Sequence, residues 1–344
     1  MIHAARRRAP SAATATEEGT LTTGPLRQAL FNWKILIPLV LAVAVLLAFG
    51  VYARPQELAD ALRGFSYVWL LPALCLAFLN YVVRFVRWQY YLRVVEVPVG
   101  TRRSLGIFFS GLAMSVTPGK LGELFKCLML KREIDAPYAR TVPVVVNERL
   151  TDLVAVLLLA GVGVARYPVG RVIFAAGVTL VVAVVVVLGL SPRLAERLAP
   201  VLARRWARED MADGAQEMGR VFVGLLRPAP LALGTILGVA AWFAECVAFL
   251  AVFRGLGYTG ISLFEATSVY ALGTLAGAVS FLPGGLGATE ASMAALLALL
   301  DVPRRTAAAA VLIVRACTLW FAVLLGVVSY ALHMRTFGRS AEQQ

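Results

Sequence analysis

Histidine, paired cysteine and charge are what this chain has least of. Its 344 residues contain two histidines, His3 and His333, and both lie in the tails. That leaves no histidine-based metal centre or catalytic triad inside the apolar body. The four cysteines, Cys75, Cys127, Cys246 and Cys317, show no C-x-x-C spacing and sit in or beside apolar runs, so they read as buried free thiols. No G-x-x-x-x-G-K-[ST] loop occurs, which excludes a phosphate-cradling ATPase motif. Only 15% of the residues are charged while 60% are hydrophobic, a composition of the membrane class. The length suits one helical membrane domain and leaves no room for a sizeable soluble catalytic domain.

The net charge of +13 raises the question of nucleic acid, but the basic residues fall between apolar runs without aromatic interleaving. No nucleic-acid partner is expected. They serve better as orientation signals. With residues 1–33 as a disordered cytoplasmic tail, spans expected at about 35–51, 67–85, 141–164, 171–190, 230–253 and 307–332 place 22 Lys and Arg on one side and 7 on the other. Both termini then lie on the cytoplasmic face of a cell membrane, with 34–332 as the membrane domain and 333–344 as a second tail. Residues 191–229, with seven Arg and five acids at helical spacing, read as an amphipathic connector at the surface.

What the chain does have is a repeated interruption. Ser115-Val116-Thr117-Pro118-Gly119-Lys120-Leu121-Gly122-Glu123 returns 165 residues later as Ser280-Phe281-Leu282-Pro283-Gly284-Gly285-Leu286-Gly287-Ala288-Thr289-Glu290. Proline and paired glycines stop a helix and release backbone groups that hydrocarbon cannot satisfy, so each copy predicts backbone buried in protein or lining a wet cavity. A lone Pro-Gly pair is an ordinary turn; the flanking register argues for a module. Asn80 and Glu245 each precede the proline by 38 residues, and Arg149 and Arg315 follow it by 31 and 32.

The runs 104–131 and 266–300 are therefore expected to be re-entrant helical hairpins, because 14 residues before Pro118 reach only about 21 Å against a core of about 30 Å. The fold expected is an all-α integral membrane protein of about six spans plus two hairpins. Repeat one covers about 67–165 and repeat two about 230–332. An odd number of crossings separates the repeats whichever way the hairpins are counted, so they are expected to be inverted, as in many secondary transporters.

Charges inside apolar runs mark the candidate site. Asn80, Arg84, Arg87 and Trp88 share one end of the second span, where the two arginines fit snorkelling to headgroups and Trp88 an interfacial belt; Asn80 lies deeper. Arg84, Lys120, Arg149 and Arg315 should face a polar interior. Glu123, Glu148, Asp152, Glu245 and Glu290 are their available partners. Ion pairs that only pin helices together would account for Glu148-Arg149-Asp152 equally well. Thr117-Pro118 resembles an N-cap and first helical residue, placing Lys120 in a first turn where the helix dipole repels a cation and a bound anion would resolve the conflict. The substrate site so derived comprises Pro118, Gly119, Lys120, Gly122 and Glu123 at the first break and Pro283, Gly284, Gly285, Gly287 and Glu290 at the second. Asn80, Arg84, Glu148, Arg149, Asp152, Glu245 and Arg315 complete it. No cofactor, metal or catalytic residue is expected.

Three motifs together, Thr117 to Glu123, Asn147-Glu148-Arg149-Leu150-Thr151-Asp152, and Leu282 to Glu290, resemble the membrane part of lysylphosphatidylglycerol synthases and the related standalone flippase-like proteins of bacteria and archaea. The resemblance implies the half that moves lipid between leaflets, without the soluble aminoacyltransferase that makes it. Membrane lipids with an anionic headgroup are the expected partners. A lipid-modifying enzyme or glycosyltransferase is a further one. The alternative is a membrane subunit or enzyme of a lipid-modification or lipid-linked glycosylation pathway.

Overall fold

The computed structural model describes residues 55–117, 122–164, 168–189 and 214–341, all within one compact unit, Pro38–Gln344. The expected first tail and first span, Lys120 with its neighbours at 118–121, and most of the connector lie outside the described residues. The described chain is helical throughout, with no strand.

The helices are α1 (Pro55–Arg63), α2 (Leu70–Val94), α3 (Thr101–Leu112), α4 (Phe125–Ile134), α5 (Tyr138–Val164), α6 (Pro168–Gly189) and α7 (Ala215–Leu225). After them come α8 (Pro228–Gly255), α9 (Leu263–Val279), α10 (Ala288–Ala298), α11 (Arg304–Arg315) and α12 (Phe321–Ala341). One order of elements occurs twice: long helix, shorter helix, break, short helix, long helix. In the first half these are α2, α3, the 3-10 turn Ala113–Val116, α4 and α5; in the second they are α8, α9, the 3-10 turn Pro283–Gly285, α10 and α11–α12. The continuous helical stretches Tyr67–Val94, Pro228–Gly255 and Arg304–Phe337 are long and apolar enough to cross a membrane. Helix α5 matches them in length at 27 residues but carries Glu148, Arg149 and Asp152 within it. By contrast α4 and α10, at 10 and 11 residues, reach only about 15–17 Å at 1.5 Å per residue.

Small residues let the long helices close. Gly234, Gly238, Ala241 and Ala248 of α8 are buried at a spacing of three, four or seven, and α8 packs against α2 along its length. A Cβ at Gly234 would strike the Tyr91 hydroxyl. Asn80 of α2 donates from Nδ2 to the Ala241 carbonyl of α8 at 2.9 Å, so this polar residue is a helix-to-helix tie. Elsewhere, α9 begins with the capping box legible in Ser262-Leu263-Phe264-Glu265: Ser262 Oγ accepts the Glu265 N–H at 3.2 Å and Glu265 returns the bond at 3.0 Å. Helix α7 turns Met218, Phe222 and Leu225 inward, the amphipathic pattern expected of the connector's end.

The two halves interleave. Helix α5 packs on α8 and α9, while α12 lies along α3 and the Ala113–Val116 turn. Gly326 makes that last contact possible, since a Cβ there would fall on the Ala113 backbone. Between α11 and α12 the last long helix opens into one π turn, Ala316–Trp320, a feature that recurs at functional sites.

Two expectations need correction. Arg87 and Trp88 do not reach an interface: both are wholly buried, because α3, α5 and α8 close over that end of α2 and supply polar partners there. The tail expected from residue 333 is instead a continuation of α12, and His333 is buried with Nε2 2.6 Å from Glu133 Oε1.

Candidate functional site

Among the described residues, seven charged side chains around the first break form a network. Arg84 and Arg87 come from α2, Lys126 from α4, Glu148, Arg149 and Asp152 from α5, and Glu123 from the 3-10 turn that leads into α4. Arg87 Nη2 meets Asp152 Oδ1 at 2.6 Å and Lys126 Nζ meets Glu148 Oε2 at 2.7 Å. Arg149 Nη2 sits 3.0 Å from both Glu123 and Asp152, and Arg84 lies 3.6 and 3.8 Å from the same two acids. Lys126 also lies 4.4 Å above the Trp88 ring, its stem passing over Gly111 where any Cβ would strike it. Buried charges are tolerated only with such mutual pairing. Six of the seven side chains are below a tenth exposed; Arg149 is the exception at 23%.

The second break is held by one pair. Arg315 Nε donates to Glu290 Oε1 at 2.6 Å and its Nη2 to the Gly284 carbonyl at 2.8 Å, while Glu290 Oε2 accepts the Gly287 N–H at 2.7 Å. Acid and base thus satisfy backbone groups on both sides of the turn, which an apolar surrounding would otherwise leave orphaned. Gly284, Gly285 and Gly287 all have positive φ, which glycine adopts freely. Phe281, just before the turn, has φ 54° as well, a conformation that costs a non-glycine residue roughly 1–2 kcal/mol.

The breaks converge. The turn Ala113–Val116 touches the turn Pro283–Gly285, and a Cβ on Gly284 would lie 3.4 Å from Val116 Cα. Beside this contact is a cavity of about 250 Å³, walled from both halves of the chain. Arg84, Arg149 and Asp152 reach it from the first half, and Glu245, Arg315 and the glycines 284 and 285 from the second. Glu245 accepts a hydrogen bond from the Tyr270 hydroxyl at 2.7 Å. The Tyr81 hydroxyl donates at 2.6 Å to the Thr318 carbonyl in the π turn, and both residues line the cavity. The rest of the wall is largely apolar, including Trp242, Val156 and Leu319. Each of the two more accessible guanidiniums keeps an amino group for a ligand. Arg149 meets its two acids through Nη2 and Arg315 bonds through Nε and Nη2, with no contact from either Nη1 among the described residues. The chemistry of such a site is recognition of an anion by charge-assisted hydrogen bonds beside an apolar surface.

Of the residues expected at the site, Arg84, Arg149, Asp152, Glu245, Gly284, Gly285 and Arg315 border the cavity. Glu123, Glu148, Gly287 and Glu290 stand behind it as supports, Gly122 donates its N–H to Thr117 Oγ1 at 2.8 Å, and Pro283 opens the second turn. Thr117 thus does accept a backbone N–H, but from the residue five positions on. Pro118, Gly119 and Lys120 are outside the described residues. Sequence reasoning missed Arg87 and Lys126 as network members and Tyr81 and Tyr270 as wall residues. The signal for the first two was their spacing of three from Arg84 and Glu123.

Comparison with known proteins gives the chain membrane-protein relatives and a family. The chain is 27% identical over 322 residues to a UPF0104 membrane protein of Methanothermobacter thermautotrophicus, covering 85% of this chain and 94% of the relative. It is 20% identical to a UPF0104 membrane protein of Pyrococcus horikoshii, with 84% and 94% covered. No solved structure matches it significantly. Residues 35–326 match the family of the lysylphosphatidylglycerol synthase TM region, so this all-helical membrane protein belongs to that family.

Proposed function

We propose that the protein moves an anionic, phosphate-bearing lipid between the leaflets of a cell membrane. The observation that carries this reading is the cavity at the meeting of the two breaks, where Arg149 and Arg315 each keep a guanidinium amino group without a partner among the described residues. A phosphate would take those donors, and glycine-lined turns let the headgroup approach backbone closely. In the same reading the two halves are inverted repeats with re-entrant hairpins at 104–131 and 266–300, about six crossings and both termini cytoplasmic. Rocking around the shared cavity would expose it to each side in turn. Paired broken helices, too short to cross alone, support this arrangement. A lipid-modifying enzyme would supply or consume the cargo.

The test is transbilayer movement of labelled phosphatidylglycerol and phosphatidylcholine in liposomes containing the purified protein, compared with Arg149→Gln. This variant leaves Glu123 and Asp152 with Arg84, Lys126 and Arg87 as partners, so it should fold. The expected result is movement of the anionic lipid in the wild type and its loss in the variant. Equal movement in both removes the site; no movement by the folded wild type removes the function.

A further inference from the structure

Among the described residues at the breaks, Phe281 is the one whose backbone is strained and whose side chain is thrown outward. Its φ is 54°, its side chain leaves it 62% exposed, and it borders the headgroup cavity. Leu282 beside it is 41% exposed and borders the cavity too. A bulky residue stays in the left-handed region only where its surroundings fix it. Here they do: Ser280 Oγ accepts the Leu282 N–H, Arg315 holds the Gly284 carbonyl, and Glu290 holds the Gly287 N–H.

The first break supplies an internal control. The position 165 residues earlier is Val116, which is half-buried and packs against Leu286 and Leu319, and its neighbour is the polar Thr117. At these matched positions the outward apolar pair is found only at the second break, so the cavity has an apolar lip on the Phe281 side. A cavity of about 250 Å³ is below the roughly 300 Å³ at which pockets for drug-sized ligands begin, so it takes a headgroup but not two hydrocarbon chains. The chains must leave it over some edge.

We infer that Phe281 and Leu282 form the portal over which the hydrocarbon chain of the bound lipid leaves the headgroup cavity, and that this lip makes the site selective for lipids over water-soluble anions of the same headgroup. This rests on the lipid reading above and adds the chain subsite to it. Arg315 and Glu290 are in this respect positioning residues, since their backbone bonds hold the lip outward.

The experiment is equilibrium binding of three ligands with one headgroup: glycerophosphoglycerol, dihexanoylphosphatidylglycerol and dioctanoylphosphatidylglycerol. The wild type is compared with Phe281→Asn and Phe281→Leu. Asparagine tolerates the left-handed conformation, so Phe281→Asn should melt no lower than the wild type. Wild-type affinity should rise with chain length. Phe281→Asn should flatten that rise, with a loss of roughly fivefold or more for the dioctanoyl lipid and progressively less for shorter ligands, as expected when apolar contact is removed. Phe281→Leu should restore most of it. An unchanged chain-length dependence in Phe281→Asn, or none in the wild type, overturns the portal and leaves headgroup binding standing. If none of the three ligands binds the wild type, the lipid-binding reading itself falls, and the portal with it.

Discussion

The two breaks carry one motif and stabilise it in different ways. At the first, seven charges from three helices and a turn share partners, with Glu123 and Asp152 each answering to three cations and Glu148 to Lys126. At the second, one acid and one base do everything, and three left-handed glycines make the turn. A network of several members distributes a charge that buried pairs cannot lose singly, whereas a single clamp leaves its turn dependent on two side chains. The difference assigns tasks: the first break ties helices together, and the second shapes backbone at the cavity.

Removing a shared acid from the first break should have the largest effect. Asp152→Ala strips partners from Arg84, Arg87 and Arg149 and strands a wholly buried guanidinium, an event that costs about 3–5 kcal/mol. The expectation is little monodisperse protein by size-exclusion chromatography. Glu290→Gln tests the single clamp. Glutamine can still accept the Gly287 N–H but loses the ion pair with Arg315, so the expected loss is about 1.5–3 kcal/mol, read as a lower melting temperature, together with reduced lipid movement. Gly284→Ala forces a Cβ into positive φ close to Val116 and should cost about 1–2 kcal/mol; the matching change at Gly111 would collide with Lys126 instead and report on the network. The smallest effect is expected from Tyr81→Phe, which deletes one buried hydrogen bond to the π turn, worth about 1 kcal/mol. A Tyr81→Phe protein less stable than Glu290→Gln would mean that the π turn, and not the clamp, holds the second half of the site.

Much of this was legible before the structure because Pro, Gly and membrane-buried charge each have few explanations. The repeated Ser-x-x-Pro-Gly register located both turns, and the 38-residue offset placed Asn80 and Glu245 on the corresponding helices α2 and α8. Arg87 was misjudged and Lys126 went unnoticed because a basic residue near a helix end looks the same whether it reaches water or a buried acid. Only the tertiary arrangement decides, through Gly111 and Trp88 for Lys126 and through Gly234 and Thr151 for Arg87. His333 was read as part of a tail for a similar reason: its slot is made by Gly106 in a helix far away in sequence. The π turn has no sequence signal, since Ala316-Cys317-Thr318-Leu319-Trp320 suits an ordinary helix equally well. Asn80 is a different case. It is buried as expected and its Nδ2 ties α2 to α8, yet an amide that ties two helices has the same sequence signature as one that binds a ligand.

The contact of α12 with α3 and the Ala113–Val116 turn also fixes an order of events during synthesis. The wall of the first break that begins at Phe321 emerges about 200 residues after that turn, which at 5–20 residues per second is a delay of roughly 10–40 s. Through that interval α3 and its turn have no α12 to pack against. They reach their final packing only when the last helix arrives, so a chain truncated before Phe321 would lose a wall of the first half as well as the end of the second.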